Sequence, residues 1–303
     1  MLVNGCDCSI VIKTSHCETD IPYSEETLRE AFSLLQEEAA IEGDGGCKAI
    51  RKVSGVTGCV VTPLTIGTVP LLLYLAMGSA GLPVFVSETR NLYKCELNLL
   101  PLEDTECFDL IQDRRGMSNE QLGSANKVGE SNERRLYEGC RVKSFELRIV
   151  REEAIKLKLD ITSERSPIVY PYTDIFTREQ GERFNGDCVT YRINEKEYKN
   201  IYGVTLVSKK KGGTKTELWI KRVLQCGFDI PEIIEEMTIT AQLLRDVYEF
   251  RRYGTFRITI KRLVLLSDET AIDTDGAVIG PLRYYVAGTV ITEVFNSCGE
   301  FIQ

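Results

Sequence analysis

The sequence is poor in the side chains that most often carry catalysis, because its 303 residues include one histidine and one tryptophan. The histidine, His16, stands beside Cys17, and adjacent side chains of an extended chain point to opposite sides, so the two do not form a Cys–His dyad. A Ser–His–Asp triad would depend on the same His16. No pair of acidic residues stands in a context typical of acid–base catalysis. We therefore predict no catalytic residues and a protein that is not an enzyme.

Paired cysteine motifs are also missing. The 11 cysteines are scattered from Cys6 to Cys298, without paired CxxC units or a histidine at zinc spacing. The segment Cys6-Asp7-Cys8 alone is a weak metal motif. We interpret the cysteines as reduced, buried or unreactive thiols of a cytoplasmic protein.

Two further segments resemble ligand sites without meeting their requirements. The acidic stretch that holds Asp268, Asp273 and Asp275 lacks the closing glutamate of a calcium loop, so it is interpreted as a plain acidic loop. The glycine cluster at 43–46 lacks the strand, lysine and Ser/Thr of a phosphate loop and predicts a turn. No cofactor and no metal are expected.

Long hydrophobic runs are absent. The most apolar segment, from Val69 to Met77, is too short to cross a bilayer, and residues 1–5 lack the basic start and apolar run of a secretory leader. A soluble, cytoplasmic chain is expected. The net charge of -8 argues against a protein that grips nucleic-acid phosphates, but not against one that lets nucleic acid slide past.

Strict alternation of apolar and polar residues is present instead, most clearly between residues 145 and 161. Apolar residues recur at every second position on both sides of a charged break at 151–153: Phe145, Leu147, Ile149, Ile155, Leu157, Leu159 and Ile161. This pattern predicts an antiparallel hairpin with one buried face. The other face is charged along its length, which includes Lys156, Lys158 and Asp160, so we expect it to be wet, on an outer surface or along a channel. Because Cys140 and Val142 have the opposite phase to Phe145, a bulge is predicted near Lys143 or Ser144.

The remaining elements are mainly strands with a few short helices. Helical spacing predicts helices at 25–40, 69–78 and 241–253. Residues 1–24 are interpreted as an arm or edge strand outside the core. Strands are predicted at 48–62 (a pair bent at a turn), 84–102, 198–207, 215–224, 255–266 and 284–294, with an extended connector at 166–172.

The domain organisation is predicted from composition. Residues 1–45 form an N-terminal arm and helix, and 46–303 form the β domain, with a candidate boundary between halves near 163–185. The polar stretch 113–135 has almost no apolar residue and predicts a mobile loop or an extended hairpin. The two halves each contain strands and one helix, which leaves open a loose internal duplication.

Two groups of residues are weighed as binding sites. The basic triplet at 209–211, followed by Gly212 and Gly213, predicts a solvated hairpin tip rather than an anion contact. Trp219 with Tyr284 and Tyr285 could form a base-stacking platform, although aromatic residues on alternating strands are more often core or interface.

The order of several motifs resembles the tail tube (major tail) proteins of tailed bacteriophages in their larger form. The likeness spans most of the chain from about residue 45, and it is carried by the order of the motifs rather than by any one of them. The matching features are Gly55 to Gly58 with Thr62-Pro63, the apolar helix that ends at Gly78, the strand from Tyr137 to Leu147, and 239–244 leading to 254–260.

The resemblance implies an antiparallel β-sandwich or barrel-like subunit with flanking short helices. Six copies would close into a ring around a continuous inner β-barrel, and stacked rings would form a tube that delivers DNA. Implied partners are further copies of the chain, the tail terminator, tape measure and baseplate or tip proteins, and transiently passing phage DNA, without a membrane. The implied location is the virion tail, assembled in the host cytoplasm. Lys156 and Lys158 lie on the face that would point to the bore, which conflicts with an acidic, non-sticky lining.

Two alternatives stay open at this level. One is the tube subunit of a contractile injection or secretion system, which is usually shorter than this chain. The other is a β-barrel module that binds a small ligand, which would need apolar inward faces in every strand. Lys156, Lys158 and Asp160 argue against that second alternative.

Overall fold

The computed structural model describes residues 8–15, 17–36, 49–78, 84–87, 92–118, 130–165, 167–171, 182–210, 212–222, 230–247, 250–268 and 281–296. Within these residues the chain is mainly β and antiparallel, as predicted, and its sheet does not close into a barrel. The chain divides into two compact units. Unit 1 comprises Met1–Val60, Cys107–Arg141 and Asp160–Arg178, and unit 2 comprises Val61–Glu106, Val142–Leu159 and Glu179–Gln303. The predicted boundaries at residue 45 and near 163–185 divide the chain differently.

The first part of the chain contains the following elements: β1 (Cys8–Lys13), β2 (Glu18–Ile21), β3 (Glu25–Glu26), β4 (Arg29–Gln36), β5 (Ala49–Pro63), α1 (Val69–Met77), β6 (Val84–Ser87), β7 (Leu92–Asn98), β8 (Phe108–Ser118), β9 (Glu130–Val150), β10 (Lys156–Ser163) and β11 (Ile168–Pro171). The second part continues with a 3-10 turn (Gly186–Cys188), β12 (Val189–Ile193), β13 (Lys196–Glu197), β14 (Ile201–Lys209), β15 (Lys215–Arg222), β16 (Ile233–Val247), β17 (Phe250–Asp268), β18 (Leu282–Val286) and β19 (Val290–Asn296). Strands β5, β9 and β10 contribute residues to both units.

The N-terminal segment is part of the core of unit 1, so the prediction of an arm outside the core is wrong. Strand β1 pairs with β2 on one edge and with β8 on the other. Ile10, Val11 and Ile12 are 0%, 2% and 0% exposed. Three consecutive buried residues mark a strand that is covered on both faces, and this pattern lacks the alternation expected of a half-exposed strand.

The predicted helix at 25–40 is also wrong where the structure describes it, and residues 37–40 lie outside the described part. Strand β4 pairs with β5 from Arg29–Thr57 to Gln36–Ala49. The helical spacing of Leu28 and Ala31 did not decide the structure, because the backbone of this segment is paired along β5 and such pairing overrides weak local propensity.

Strand β5 is one continuous strand rather than the predicted bent pair. The glycines of β5 allow the backbone of neighbouring segments to lie close to this strand. A Cβ on Gly55, where φ is 142°, would lie 2.0 Å from the carbonyl oxygen of Ser163. At Gly58, where φ is 159°, a Cβ would lie 2.4 Å from the carbonyl oxygen of Thr27. The glycines therefore allow close packing along the strand and do not mark a turn.

The apolar helix α1 is confirmed, from Val69 to Met77, with Pro70 in its first turn and Gly78 closing it. Its side chains are buried except that of half-buried Tyr74, whose hydroxyl donates a hydrogen bond to the Glu106 carboxylate. Burial is the main cause that raises the pKa of Tyr74, and the Glu106 contact adds to it. A helix that is apolar nearly all round is thus stabilised inside unit 2.

The hairpin predicted between Phe145 and Ile161 is formed by the second half of β9 and by β10, which pair with each other. All seven predicted apolar positions are buried, and their polar neighbours are half-buried or exposed. The change of phase from which the bulge was predicted is present, because Val142 and Phe145 are buried while Lys143 and Ser144 between them are not. The polar stretch 113–135 forms the arms of an extended β8–β9 hairpin, and its residues 119–129 lie outside the described part.

The third predicted helix, at 241–253, is replaced by a long hairpin. Strands β16 and β17 pair from Ile233–Val264 to Val247–Phe250. The residues at 248–249 lie outside the described part. The helical spacing at 241–253 was misleading. The β-branched residues that precede position 241 form a strand, and this strand continues into the segment.

Strand β17 forks the sheet of unit 2. Its first part pairs with β19 from Gly254 to Ile260, and its second part pairs with β18 from Leu263 onward. Between them Arg262 has a left-handed backbone with φ 55°, and its carbonyl oxygen accepts from the Ala287 amide. The predicted single strand at 284–294 is therefore two strands. One branch of the fork continues as β18–β15–β14–β9, and the other as β19–β7–β6.

Candidate assembly surfaces

The branch β9–β14–β15–β18 of unit 2 has one buried face and one exposed face. The structure gives the residue pairing between each two neighbouring strands of this branch. The buried face holds an apolar cross-strand row: Leu147, Leu206, Leu218 and Tyr284. All four side chains are at most 1% exposed. Because side chains alternate along a strand, the residues on either side of each of these lie on the outer face.

The outer face carries an exposed apolar row. Ile233 is paired with Val264, and Val264 is paired with Tyr285. These three side chains are 54%, 37% and 41% exposed, and we call them the apolar row. The same cross-strand line continues through Glu217, Val207 and Glu146. Leu266, in the β17 irregularity beside the row, is 53% exposed.

Next to the apolar row, a polar cluster surrounds Trp219. The indole Nε1 of Trp219 and the Arg283 guanidinium each donate to Glu217 Oε2, both at 3.1 Å. The Arg283 guanidinium also lies 5.3 Å from the centre of the Trp219 ring, a cation–π distance. The hydrogen bond from Trp219, followed by the contacts with Arg283, holds the pKa of the Glu217 carboxyl below its usual value.

The stacking platform that was weighed for Trp219, Tyr284 and Tyr285, and judged less common than core or interface aromatics, is not formed. Trp219 is paired with Arg283, so Trp219 and Tyr285 lie on the outer face while Tyr284 points to the core. The Tyr284 ring is 0% exposed, and its hydroxyl donates to the Pro231 carbonyl oxygen at 2.9 Å. The face of Trp219 that Arg283 covers is not free for a base.

The polar face of the β9–β10 hairpin is half-buried to exposed along its length. Strand β10 alternates strictly, with Lys156, Lys158 and Asp160 at the half-buried positions. On β9, Arg148 lies 3.3 Å from Glu153 in an exposed ion pair that contributes little to stability. The expectation of a wet face is therefore met, and its charges are mixed rather than acidic.

Strand β11 presents apolar side chains on unit 1. It corresponds to the predicted extended connector at 166–172 and pairs with β9 from Ile168–Leu136 to Pro171–Glu133. Ile168 and Val169 are 46% and 51% exposed. The ladder with β9 occupies one edge of β11, and the exposed Ile168 and Val169 side chains lie on this strand.

A buried polar network in unit 1 was not predicted. Arg134 donates to Asp113, and the Tyr137 hydroxyl donates to Gln112 Oε1 at 3.0 Å. The Gln112 side-chain amide in turn donates to the Glu26 carboxylate. Asp113 and Arg134 stand in the polar stretch and Glu26 in the misassigned helix, so only the strand register could have shown that these residues meet.

The basic hairpin tip is only partly as predicted. The turn between β14 and β15 exists, and Lys209 is exposed, but Lys210 is 1% exposed. Its Nζ has no hydrogen-bond partner in the described part of the chain. Burial alone lowers the pKa of Lys210 to about 8. The simple idea of a solvated basic triplet is therefore wrong at this residue, and Lys211 lies outside the described part.

Two open clefts lie on unit 2. One, of about 680 Å³, lies on the outer face of β12, β16 and β17, where threonines such as Thr190 and Thr240 stand beside Arg192 and Arg257. The other, of about 410 Å³, is lined by the hairpin residues Thr214 and Thr216 and by residues of β7, β18 and β19 with their connections.

Most residues discarded as catalytic or metal ligands lie outside the described part: His16, Cys6, Asp7, Asp273 and Asp275. Six cysteines whose side chains the structure describes carry free thiols: Cys17, Cys59, Cys95, Cys107, Cys140 and Cys188. Burial is the main cause that raises the pKa of Cys95 to about 11 and that of Cys140 to about 12, so these two are poor nucleophiles. Within the described ranges, no three His, Cys, Asp or Glu side chains form a group able to hold a metal ion.

The fold and these surfaces define an antiparallel, mainly β protein with an exposed, partly apolar sheet face. No helix in the described residues has both the length and the apolar character needed to cross a membrane. No protein-family model matches the chain, and no curated protein matches it.

Proposed function

We propose that the chain is a structural virion protein, a subunit that forms hexameric rings which stack into a phage tail tube for DNA delivery. The observation that carries this proposal is the apolar row. Ile233, Val264 and Tyr285 lie side by side on neighbouring strands of the exposed face, where a monomer gains nothing from exposing them. Burying such a row against a second copy removes apolar surface from water and favours association.

The strand edge of β11 supports the same proposal from unit 1. Ile168 and Val169 are exposed on β11, and we propose that the edge of β11 opposite β9 pairs with a strand of the next copy. Exposed apolar strand edges are a liability in a monomer and are useful in a protein whose sheets continue into the next copy. Contacts between different surfaces of two identical chains close into a ring or extend into a filament.

The charged hairpin face is proposed to line the bore. Its side chains are of both signs, with Lys156, Lys158 and Asp160 on β10 and Glu146 on β9. A lining of mixed sign binds the phosphate backbone less tightly than a basic one, so DNA could pass without being held. This protein would have no catalytic role, and its partners would be its own copies and the tail terminator, tape measure and tip proteins.

Sedimentation velocity and negative-stain electron microscopy at increasing protein concentration test this proposal. We expect rings or tubes, accompanied by a blue shift in the emission of Trp219, the only tryptophan, as the neighbouring row becomes buried. A species that stays monomeric at every concentration overturns the proposal. If that monomer takes up a lipophilic dye, the small-ligand alternative replaces it.

A further inference from the structure

Two exposed lysines lie on the outer face of unit 2 beside the line of the apolar row. Register pairs Lys209 directly with Lys215, and both side chains are exposed. Lys215 lies two residues before Glu217 on β15, and the cross-strand partner of Glu217 is Tyr285 of the apolar row. Residues two apart on a strand point to the same face and are separated by about 7 Å. The lysine pair is therefore the next cross-strand row to the line that contains the apolar row.

A third exposed lysine lies on the other side of that line. Lys221 follows Glu217 by four residues on the same face of β15. Within the described part of the chain, Lys209, Lys215 and Lys221 form no ion pair. Glu217 is already bound by Arg283. These three lysines, which we call the lysine end, therefore give this part of the face an excess of positive charge.

The position of the lysine end is unusual for this chain. The chain as a whole has a net charge of -8, so the rest of its surface is more acidic still. Like charges that stand directly opposite each other on neighbouring strands are unfavourable, and Lys209 and Lys215 do so in the single chain. An anionic surface placed over them would relieve that repulsion.

A second copy of the chain supplies such a surface. Two copies of an acidic chain repel on average, but acidic side chains of one copy attract the lysine end of another. Nucleic acid is also a polyanion, and it would engage the lysines through its phosphates. Phosphates would leave the neighbouring apolar row in water, whereas a protein surface can cover the lysines and the row together.

We propose that acidic side chains of a second copy dock on the lysine end, in the same contact that buries the apolar row. This inference rests on the proposed assembly and adds the chemistry of the covering surface, which combines carboxylates with apolar side chains. Complementary charge of this kind mainly selects the orientation of the two copies and speeds their encounter.

The salt dependence of association, measured by sedimentation velocity, tests the charge contribution. If the apolar row alone held the contact, added salt would strengthen association, because it screens the repulsion between acidic chains. For the proposed contact, we expect association to weaken as NaCl is raised from about 0.05 M to about 0.5 M.

A charge-reversal variant tests the lysines themselves. Lys209→Glu/Lys215→Glu should weaken association at least about tenfold. It exchanges one like-charged cross-strand pair of exposed residues for another, so the monomer should stay folded, as checked by circular dichroism. Lys196→Glu/Lys199→Glu is the matched control, because it reverses two other exposed lysines of unit 2 and changes the net charge equally. The control should have a much smaller effect.

Carbodiimide cross-linking identifies the opposing side chains, because this reagent joins an amine directly to a carboxylate in contact with it. In a mixture of 14N- and 15N-labelled protein, we expect links between copies from Lys209 or Lys215 to an Asp or Glu. Links to Glu232 or Glu235, which are exposed beside Ile233 at the far end of the line, would mean that two copies meet face to face. That result supports the lysine contact but contradicts the ring, because a contact between identical surfaces closes as a dimer.

The remaining outcomes separate this inference from the proposed function. Wild-type protein that assembles more strongly in salt, and as well as its Lys209→Glu/Lys215→Glu variant, overturns the lysine contact and leaves the proposed tube in place. Wild-type protein that stays monomeric overturns both. A single-stranded oligonucleotide that binds the dilute monomer, but not this variant, in fluorescence anisotropy assigns the lysines to nucleic acid and also overturns the contact.

Discussion

Arg134 holds Asp113 through two parallel hydrogen bonds, from Nε to Oδ1 at 2.7 Å and from Nη2 to Oδ2 at 3.1 Å. The two residues are also directly paired in the β8–β9 ladder. The Asp113 side chain is 1% exposed and that of Arg134 is 15% exposed. The chain therefore buries an ion pair inside a stretch whose composition predicts no buried structure.

Replacing Arg134 with methionine should destabilise unit 1. The substitution removes both hydrogen bonds and the charge of Arg134 from the buried Asp113 carboxylate, and removing one partner of a buried pair costs about 3 kcal/mol. Urea unfolding measures this loss. Arg165→Met is the matched control, because Arg165 lies in the same unit, forms an exposed pair with Glu138 and should change stability by at most about 0.5 kcal/mol. Equal losses of stability in the two variants would show that the buried Arg134–Asp113 pair stabilises the protein no more than the exposed Arg165–Glu138 pair.

Gly55→Ala should also be costly. The new Cβ would lie 2.0 Å from the Ser163 carbonyl oxygen, at a backbone φ of 142° that side chains rarely adopt. We expect a loss of at least about 2 kcal/mol in the free energy of unfolding, measured by urea denaturation. Gly67→Ala is the control, since nothing lies within 4 Å of a Cβ at Gly67. A neutral Gly55→Ala would mean that β5 can move away from Ser163 at little cost.

The elements predicted correctly from sequence are those whose residues follow a single hydrophobic pattern along the whole segment. Strand β10 alternates without exception, and α1 is apolar on every side between a proline and a glycine. The predictions at 25–40 and 241–253 failed because a helical spacing of apolar residues occurs in strands whose backbone pairs with a distant partner. The period within a segment carries no information about that partner.

Predicting the candidate surfaces would also have required the pairing register of the strands. Ile233, Val264 and Tyr285 are far apart in sequence and become one row only when β16, β17 and β18 pair in the observed alignment. The burial of Lys210 likewise depends on which face of β14 is covered. The sequence could indicate a basic turn there, but the alternation that places Lys210 inward has meaning only once Leu206 and Ser208 are known to be buried.

Burial of Lys210 should appear in the pH dependence of stability. The folded chain releases this proton near pH 8, whereas the unfolded chain keeps it until the ordinary value of 10.5. Because the unfolded state binds more protons between these values, stability should rise with pH across that window, by about 2–3 kcal/mol relative to Lys210→Met. Urea unfolding from pH 7 to 10.5 in carboxylate-free buffer measures the difference. Lys209→Met should keep the wild-type rise, and a wild-type curve parallel to that of Lys210→Met would contradict burial of the charge.

Protonation of Glu217 should be visible through Trp219. The hydrogen bonds from Trp219 and Arg283 depress the pKa of Glu217, so the contribution of this cluster is present at neutral pH and is lost only as pH falls through the depressed value. We expect an acid transition in tryptophan fluorescence with its midpoint below the ordinary carboxyl value of 4.5. Glu217→Gln should remove the transition. Glu293→Gln, which alters an outer-face carboxylate on β19, should leave it in place.

Assembly should depend on the apolar row. Tyr285→Lys and Val264→Lys place a charge where we propose that a second copy buries apolar surface, so each should weaken association at least about tenfold. Both side chains already face solvent in the single chain, so the fold should be retained, as checked by circular dichroism and urea unfolding. Thr259→Lys is the control, because Thr259 lies on the same strand in a polar part of the outer face, within the threonine-lined cleft. Sedimentation velocity compares the four proteins at equal concentration. If both row variants assemble as the wild type does while remaining folded, the row is not the contact, and β11 becomes the surface to test through Ile168→Lys and Val169→Lys.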